Sequence, residues 1–418
     1  MSRFVNYLIL AFILILSGNI CGQDEAIAFG FNGYGARQMA MGGAGVMTMD
    51  GTALFYNPAN LARIPRIEFN LGLSSQKYKS NTETSPVDGD EIYTVGDSRN
   101  NSRLNSAIIT IPYPTYRGSL VIGIGMVRSV NFDAVSNFYF QEGDKSIFEQ
   151  TSESGGINRW GAGLGIDLSP RISFGGAVYL MYGKHEINFE SVPTNTDSVL
   201  ILEQIIKNSY LGVGTKASLA MQLAPYLAIG LTADLPISYS IEAKGTLIEG
   251  GIEYYGTDEY DLVKPFVFSV GVSSRFKRLL LVADLEYIDW SQLKYKNNID
   301  YEMYNDDIRY FYRDVLKFKV GAEYTLPSIG LSLRSGFISD PLPYKKRYID
   351  KDRRGFSFGL GYLIDQVMTI DIAYVQTNQT RVYQFTPNID ENDEFTVDHD
   401  ASDEITLNLI YVTAAYRF

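Results

Sequence analysis

Charged residues alternate with apolar ones in two short segments. In VADLEY, Asp284 and Glu286 bracket Leu285, and in LKFKVGAEY, Lys317, Lys319 and Glu323 alternate with Phe318, Val320 and Ala322. Side chains two apart on a strand share a face, so each segment presents its charges on one side. If the two strands are neighbours, carboxylates and ammonium groups meet across the sheet and brace it. The same cations, with Arg334 in the next segment, could instead receive a carboxylate headgroup in a partly dry site. Lys317, Lys319 and Arg334 are therefore the candidate ligand-binding residues.

Other chemistries lack their residues. The chain has two histidines, His185 and His399, and one cysteine, Cys21. No GxSxG, P-loop, HExxH or paired CxxC occurs, so a serine–histidine, thiol or zinc site is not expected. The reading is of a protein that is not an enzyme and needs no cofactor or metal. The run Pro387–Glu404 carries eight carboxylates and no Lys or Arg. Carboxylate oxygens suit calcium, but EF-hand spacing is absent and the run reads as a solvated loop. A net charge of −12 argues against a nucleic-acid partner.

The elements that position these charges are strands. IEFNLGL, YLAIGLTADL and FSFGLGY all alternate apolar residues with glycine, small or polar ones. Fourteen such segments occur, near 66–78, 104–113, 119–130, 157–168, 171–187, 209–223, 226–243, 264–275, 279–289, 314–325, 329–338, 353–363, 367–377 and 404–418. Most match the roughly 9–11 residues that cross a bilayer as a tilted strand. Six short connections, such as 115–118 and 169–170, alternate with seven long polar ones near 79–103, 131–156, 188–208, 244–263, 290–313, 339–352 and 378–403. Short turns on one side and long loops on the other describe an outer-membrane barrel. Trp160, Tyr324, Tyr362, Tyr374 and Tyr416 fall near strand ends, as aromatic girdles do. The expected fold is thus all-β, a 14-stranded antiparallel transmembrane β-barrel over residues 65–418. Gly123 and Gly125 lie on the inward face of its third strand, where glycine can mark a kink.

Residues 1–22 read as a secretory signal, with Arg3 ahead of an apolar run and small residues at Ser17, Gly18 and Gly22. Cys21 leaves with it. Residues 23–64 show no strand alternation. They are rich in glycine and carry Met39, Met41, Met47 and Met49. A fourteen-stranded barrel has a lumen too wide for wall side chains to fill. The segment is expected to serve as an N-terminal plug (hatch) in that lumen.

Certain motifs give this chain a likeness. Gly35-Ala36-Arg37, the run Met41-Gly42-Gly43-Ala44-Gly45-Val46 and Asn57-Pro58-Ala59 in the N-terminal segment resemble the FadL/TodX (OmpP1) family of outer-membrane transporters. So do Trp290-Ser291, Arg334-Ser335-Gly336-Phe337 with Asp340-Pro341, and the aromatic C-terminus. Asn60 stands where that family usually has glycine. The resemblance implies a bacterial outer-membrane location and a hydrophobic small-molecule ligand, fatty acids first. It also implies an exit gap at the third strand beside Gly123 and Gly125, and outer-membrane lipid around the wall. Phe418 would be read by the barrel-insertion machinery. The competing readings are a partner-binding barrel subunit of a type IX-like secretion system and a polar-solute porin.

Overall fold

Alternation buries one face of a strand and exposes the other, and a membrane leaves no backbone group free to bond water, so such strands must pair on both edges and close. The computed structural model describes residues 26–30, 33–86, 92–116, 118–142, 145–194, 202–249, 251–345, 349–385 and 399–418. The signal expected at 1–22 and most of the acidic run 387–404 lie outside these residues. Among the described residues are eighteen strands. They are β1 (Glu68–Pro86), β2 (Tyr93–Tyr113), β3 (Leu120–Asn131), β4 (Ala134–Glu142), β5 (Lys145–Ser169), β6 (Ile172–Pro193) and β7 (Leu202–Ala224). There follow β8 (Leu227–Asp234), β9 (Ile237–Glu249), β10 (Ile252–Lys264), β11 (Val267–Phe276), β12 (Leu279–Asp289) and β13 (Lys294–Lys296). The chain ends with β14 (Asp314–Leu326), β15 (Leu331–Asp340), β16 (Ile349–Ile364), β17 (Met368–Phe385) and β18 (His399–Arg417).

Fourteen of these form a closed antiparallel ring, as expected: β1-β2-β3-β5-β6-β7-β8-β11-β12-β14-β15-β16-β17-β18. The seam is β1 on β18, paired from Glu68↔Arg417 to Pro86↔His399. The six expected short turns all occur. Trp160, Tyr324, Tyr362, Tyr374 and Tyr416 point outward and are exposed, among a belt of outward Leu, Ile, Val and Phe.

The long connections differ from expectation. Much of 79–103, 131–156, 188–208, 244–263 and 378–403 is strand where it is described: β1 and β2 form a hairpin reaching Thr84↔Tyr93, and β9 and β10 another. These extensions rise beyond the lipid. Their outward faces no longer meet lipid, and their inward faces mix polar residues such as Ser80 and Thr82 with buried Phe140, Ile147 and Phe189, so the sequence alternation fades while backbone pairing continues.

The other four strands are continuations past breaks. β3 stops at Phe132–Asp133 and β4 resumes on the same partner, β5. β8 gives way to β9 at Leu235–Pro236, and β10 to β11 at Pro265–Phe266. Proline lacks the N–H that the ladder would use. β12 ends in a short 3-10 turn, Trp290–Gln292, capped by Asp289, whose carboxylate accepts from the Ser291 N–H at 3.1 Å.

Gly123 and Gly125 do not make the kink in the third strand. Both hold regular register, Gly123 with Thr110 and Gly163, Gly125 with Ile108 and Gly161. Gly123 is small for another reason: a Cβ there would meet Leu61 at 3.3 Å and Leu54 at 3.5 Å. The irregularity comes later, as a bulge between Arg128 and Val130 opposite Asn158 and Ile157; just beyond it on β5, Gly156 and Gly155 take φ angles of +148° and +113°. Pairing of β3 with β2 ends at Ser106↔Val127, although β2 itself continues to Tyr93. Above that rung the ring has an unpaired edge.

Phe358 lies outward near the middle of the wall and is 58% exposed. Phe358→Arg should lower stability by about 2–4 kcal/mol, the cost of a cation at mid-bilayer on a barrel's lipid face. The shift of the denaturant midpoint for protein folded into lipid vesicles checks this.

Candidate ligand site

The N-terminal segment, residues 33–64, is bonded to strands all round the ring. Ala36 N–H donates to Thr413 on β18 at 2.9 Å, Gly51 N–H to Glu68 on β1 at 2.7 Å, and Ala59 N–H to Ser218 on β7 at 2.9 Å. Gly42 N–H donates to Ser357 on β16 at 2.9 Å. Its backbone lies directly on inward glycines of the wall. A Cβ at Gly336 would lie 2.1 Å from the Gly42 nitrogen, and one at Gly175 2.2 Å from the Ala59 nitrogen. The glycine-rich inward face read in the sequence is thus a bed for another stretch of chain.

The segment's own motif residues fix its path. Gly35, Gly42 and Gly43 take φ of +79°, +74° and +74°, which favour glycine. Asn57 accepts from Ala59 N–H at 3.2 Å as Pro58 opens the 3-10 turn Pro58–Arg63. The side-chain amides of Asn57 and Asn60 both donate to the Val46 carbonyl at 2.9 Å. Asn60 therefore supplies a bond that glycine could not. Met41, with Met47 and Met49, lines a cavity of about 240 Å³ near the short turns. Asp284 Oδ2 accepts from Gly45 N–H at 2.7 Å and Val46 N–H at 2.9 Å.

The charges noted in the sequence do meet, but they divide into two groups. Asp284 faces Lys319 and Glu286 faces Lys317 across β12 and β14. Lys317 pairs with Asp340 at 3.0 Å and Glu286 at 3.6 Å, and Lys319 with Glu286 at 3.4 Å. Arg334 is elsewhere. Its guanidinium is held by Glu323 at 2.7 Å and Asp371 at 2.6 Å, and Glu323 in turn binds Arg37 of the N-terminal segment at 2.8 Å. Arg334 braces the wall through these two carboxylates, and it does not line the cavity that Lys317 and Lys319 share.

That cavity, of about 130 Å³, lies between the N-terminal segment and the wall. Three cations missed in the sequence also line it: Arg159, Lys216 and Lys264. Lys216 is taken by Asp234 at 3.1 Å and the Phe55 carbonyl at 2.8 Å, while Arg159 stands 3.9 Å from Asp234. Lys264 forms no ion pair among the described residues; its ammonium lies over the Trp290 ring, 5.7 Å from the centroid. The strand breaks meet here too: Ser129, Leu235, Pro265 and Trp290 all line the cavity. Lys264 was legible only as a residue before proline. Its neighbourhood is created by breaks that periodicity does not show.

Asp284→Ala removes both acceptor bonds to the 45–46 backbone. Each bond to a carboxylate is worth about 1.5–3 kcal/mol, so amide exchange at Gly45 and Val46 should quicken roughly tenfold or more. Unchanged exchange would show that the segment is held elsewhere.

The comparisons with known proteins agree with this architecture. No curated protein matches the chain in sequence. Among solved structures, a Pseudomonas aeruginosa FadL homologue is similar at TM-score 0.63 and 15% identity, covering 93% of this chain and 100% of that one. The P. putida toluene transporter TodX gives 0.60 and 15%, with 93% and 99% covered, and the CymD monoaromatic hydrocarbon channel 0.57 and 14%, with 92% and 98% covered. These likenesses show the fold. The family model described as outer membrane protein transport protein (OMPP1/FadL/TodX) matches residues 20–418. The closed ring with its lipid-facing belt and that match together make this chain a bacterial outer-membrane transport protein of the OMPP1/FadL/TodX family.

Proposed function

We propose that the protein carries hydrophobic acids, fatty acids first among them, inward across the outer membrane. Residues 33–64 act as a plug (hatch), and the cargo leaves sideways through the unpaired edge between β2 and β3. Phe418, whose N–H donates to the Ile67 carbonyl at 3.0 Å, stands at the end of the seam strand, where the insertion machinery would read it.

The observation that carries this reading is Lys264. The cavity joins apolar surface from Trp290, Ile288 and Val267 to a cation with no carboxylate of its own among the described residues. An incoming carboxylate completes that pair in a site of low dielectric. Lys317 and Lys319 stand beside it and share Glu286, so they are assigned a supporting role. TodX is a toluene transporter and CymD a monoaromatic hydrocarbon channel. A neutral aromatic cargo would suit the Trp290 side of the same cavity but would leave Lys264 unpaired.

Oleate should bind the purified protein, and Lys264→Met should weaken it about tenfold, or ~1.4 kcal/mol, in a calorimetric titration. Tight toluene binding with none of oleate would favour the neutral cargo. In planar bilayers the intact chain should pass no large steady current, whereas a variant lacking residues 33–64 should conduct. A large current from the intact chain would mean a porin. Loss of secreted cargo, with fatty-acid uptake intact, in cells lacking the protein would mean an export subunit.

A further inference from the structure

The outward series of β3 runs Ile122, Ile124, Met126, Arg128. Ile122 and Ile124 are exposed on the wall, and an arginine continuing that series would face hydrocarbon at considerable cost. It escapes because β3 parts from β2 after Ser106↔Val127 and bulges between Arg128 and Val130, and Arg128 lines an interior cavity instead. Arg128 and Asn131, on the same face of β3, then look onto β1 and β2 from within. With Gln76, Arg103 and Asn105, and with Leu409 and Tyr411 of β18, they line a small cavity of about 20 Å³ on the inner side of the gap. That is room for about one water-sized group.

Within it, Arg128 is the cation left over. Its Nη1 donates to Asn158 Oδ1 at 3.3 Å, but Nε and Nη2 are buried with no hydrogen-bond partner. Arg103, on the facing strand, is neutralised by Asp133, with Nη2 to Oδ1 at 2.7 Å and Nε to Oδ2 at 3.1 Å. Arg128 forms no ion pair among the described residues. The backbone makes room for it: at Gly156, whose φ is +148°, a Cβ would lie 2.4 Å from Arg128 Nη2. A buried guanidinium with two unmet N–H groups is costly, and a carboxylate oxygen pair is the group that meets a planar fork of donors.

We propose that Arg128 is a second carboxylate subsite, on the inner side of the wall gap, which takes the head of an amphiphilic acid after it leaves the Lys264 cavity. The inference rests on the acidic cargo proposed above. The gap must widen for the head to enter, and its removable side is the N-terminal segment. Gly33 lines the cavity and is held by Asn105, whose Nδ2 donates to the Gly33 carbonyl at 3.1 Å while its Oδ1 accepts from Gly35 N–H at 3.3 Å.

The test compares uptake of oleate and its neutral methyl ester into proteoliposomes by the full chain and by Arg128→Met and Arg128→Lys, each confirmed as folded by heat-modifiable gel migration. Arg128→Met should slow oleate about tenfold or more, leave methyl oleate within about twofold, and leave equilibrium oleate binding at the Lys264 cavity unchanged. Arg128→Lys should restore much of the oleate rate. Equal loss for both probes, no loss, or no recovery with lysine would overturn the subsite. Failure of the unaltered protein to bind or pass oleate would instead overturn the acidic-cargo reading itself.

Discussion

Hydrocarbon offers no partner to an N–H or C=O, and this governs the whole molecule. Within the lipid belt every strand of the ring pairs on both sides, and the first strand closes on the last through nineteen consecutive partners. Irregular backbone is allowed only where something other than lipid can meet it. The breaks at Phe132–Asp133, Leu235–Pro236, Pro265–Phe266 and Trp290–Gln292 obey this. Residues at or near all four line one cavity inside the ring. The site exists because these four breaks in the wall are gathered around one interior space.

The wall and the N-terminal segment also share one solution to packing. A chain of backbone can lie against a sheet only if the sheet carries no side chains beneath it. The inward glycines at 175, 321, 336 and 359 supply that bare surface. Specific acceptors then fix the position: Ser357 for Gly42, Ser218 for Ala59 and Asp284 for residues 45 and 46. Arg37 adds a charged clasp through Glu323 to Arg334.

What could be read from the sequence was what lipid imposes. Ile122 and Ile124, or Phe356 and Phe358, alternate strictly because one neighbour faces hydrocarbon and the other does not. That alternation gave the fourteen strands, their turns and the aromatic belt. Above the lipid the constraint lapses, so the strand at Tyr93–Arg103 looked like a loop. Lys317 and Lys319 were legible as inward cations, but Arg334, on the same inward face, answers to Asp371 and to Glu323, and Glu323 also holds Arg37 of the N-terminal segment, a partner remote in sequence. Gly123 and Gly125 were read as kink candidates, whereas both keep regular register and Gly123 makes room for Leu54 and Leu61. Lys264 and Arg128 owe their settings to departures from the strand pattern, and a reading of pattern passes over departures.

The seam between Glu68 and Arg417 sets a timetable for assembly. Its partners are separated by nearly the entire chain, so the ring can shut only after the last strand has been made and placed. Residues 33–64 precede the first strand and are bonded to strands along the whole sequence. They must be gathered in while the sheet is still an open, curling ribbon, or be threaded afterwards through an end of a finished cylinder. The first course would make this segment a mandrel around which the strands wrap, built first and enclosed last.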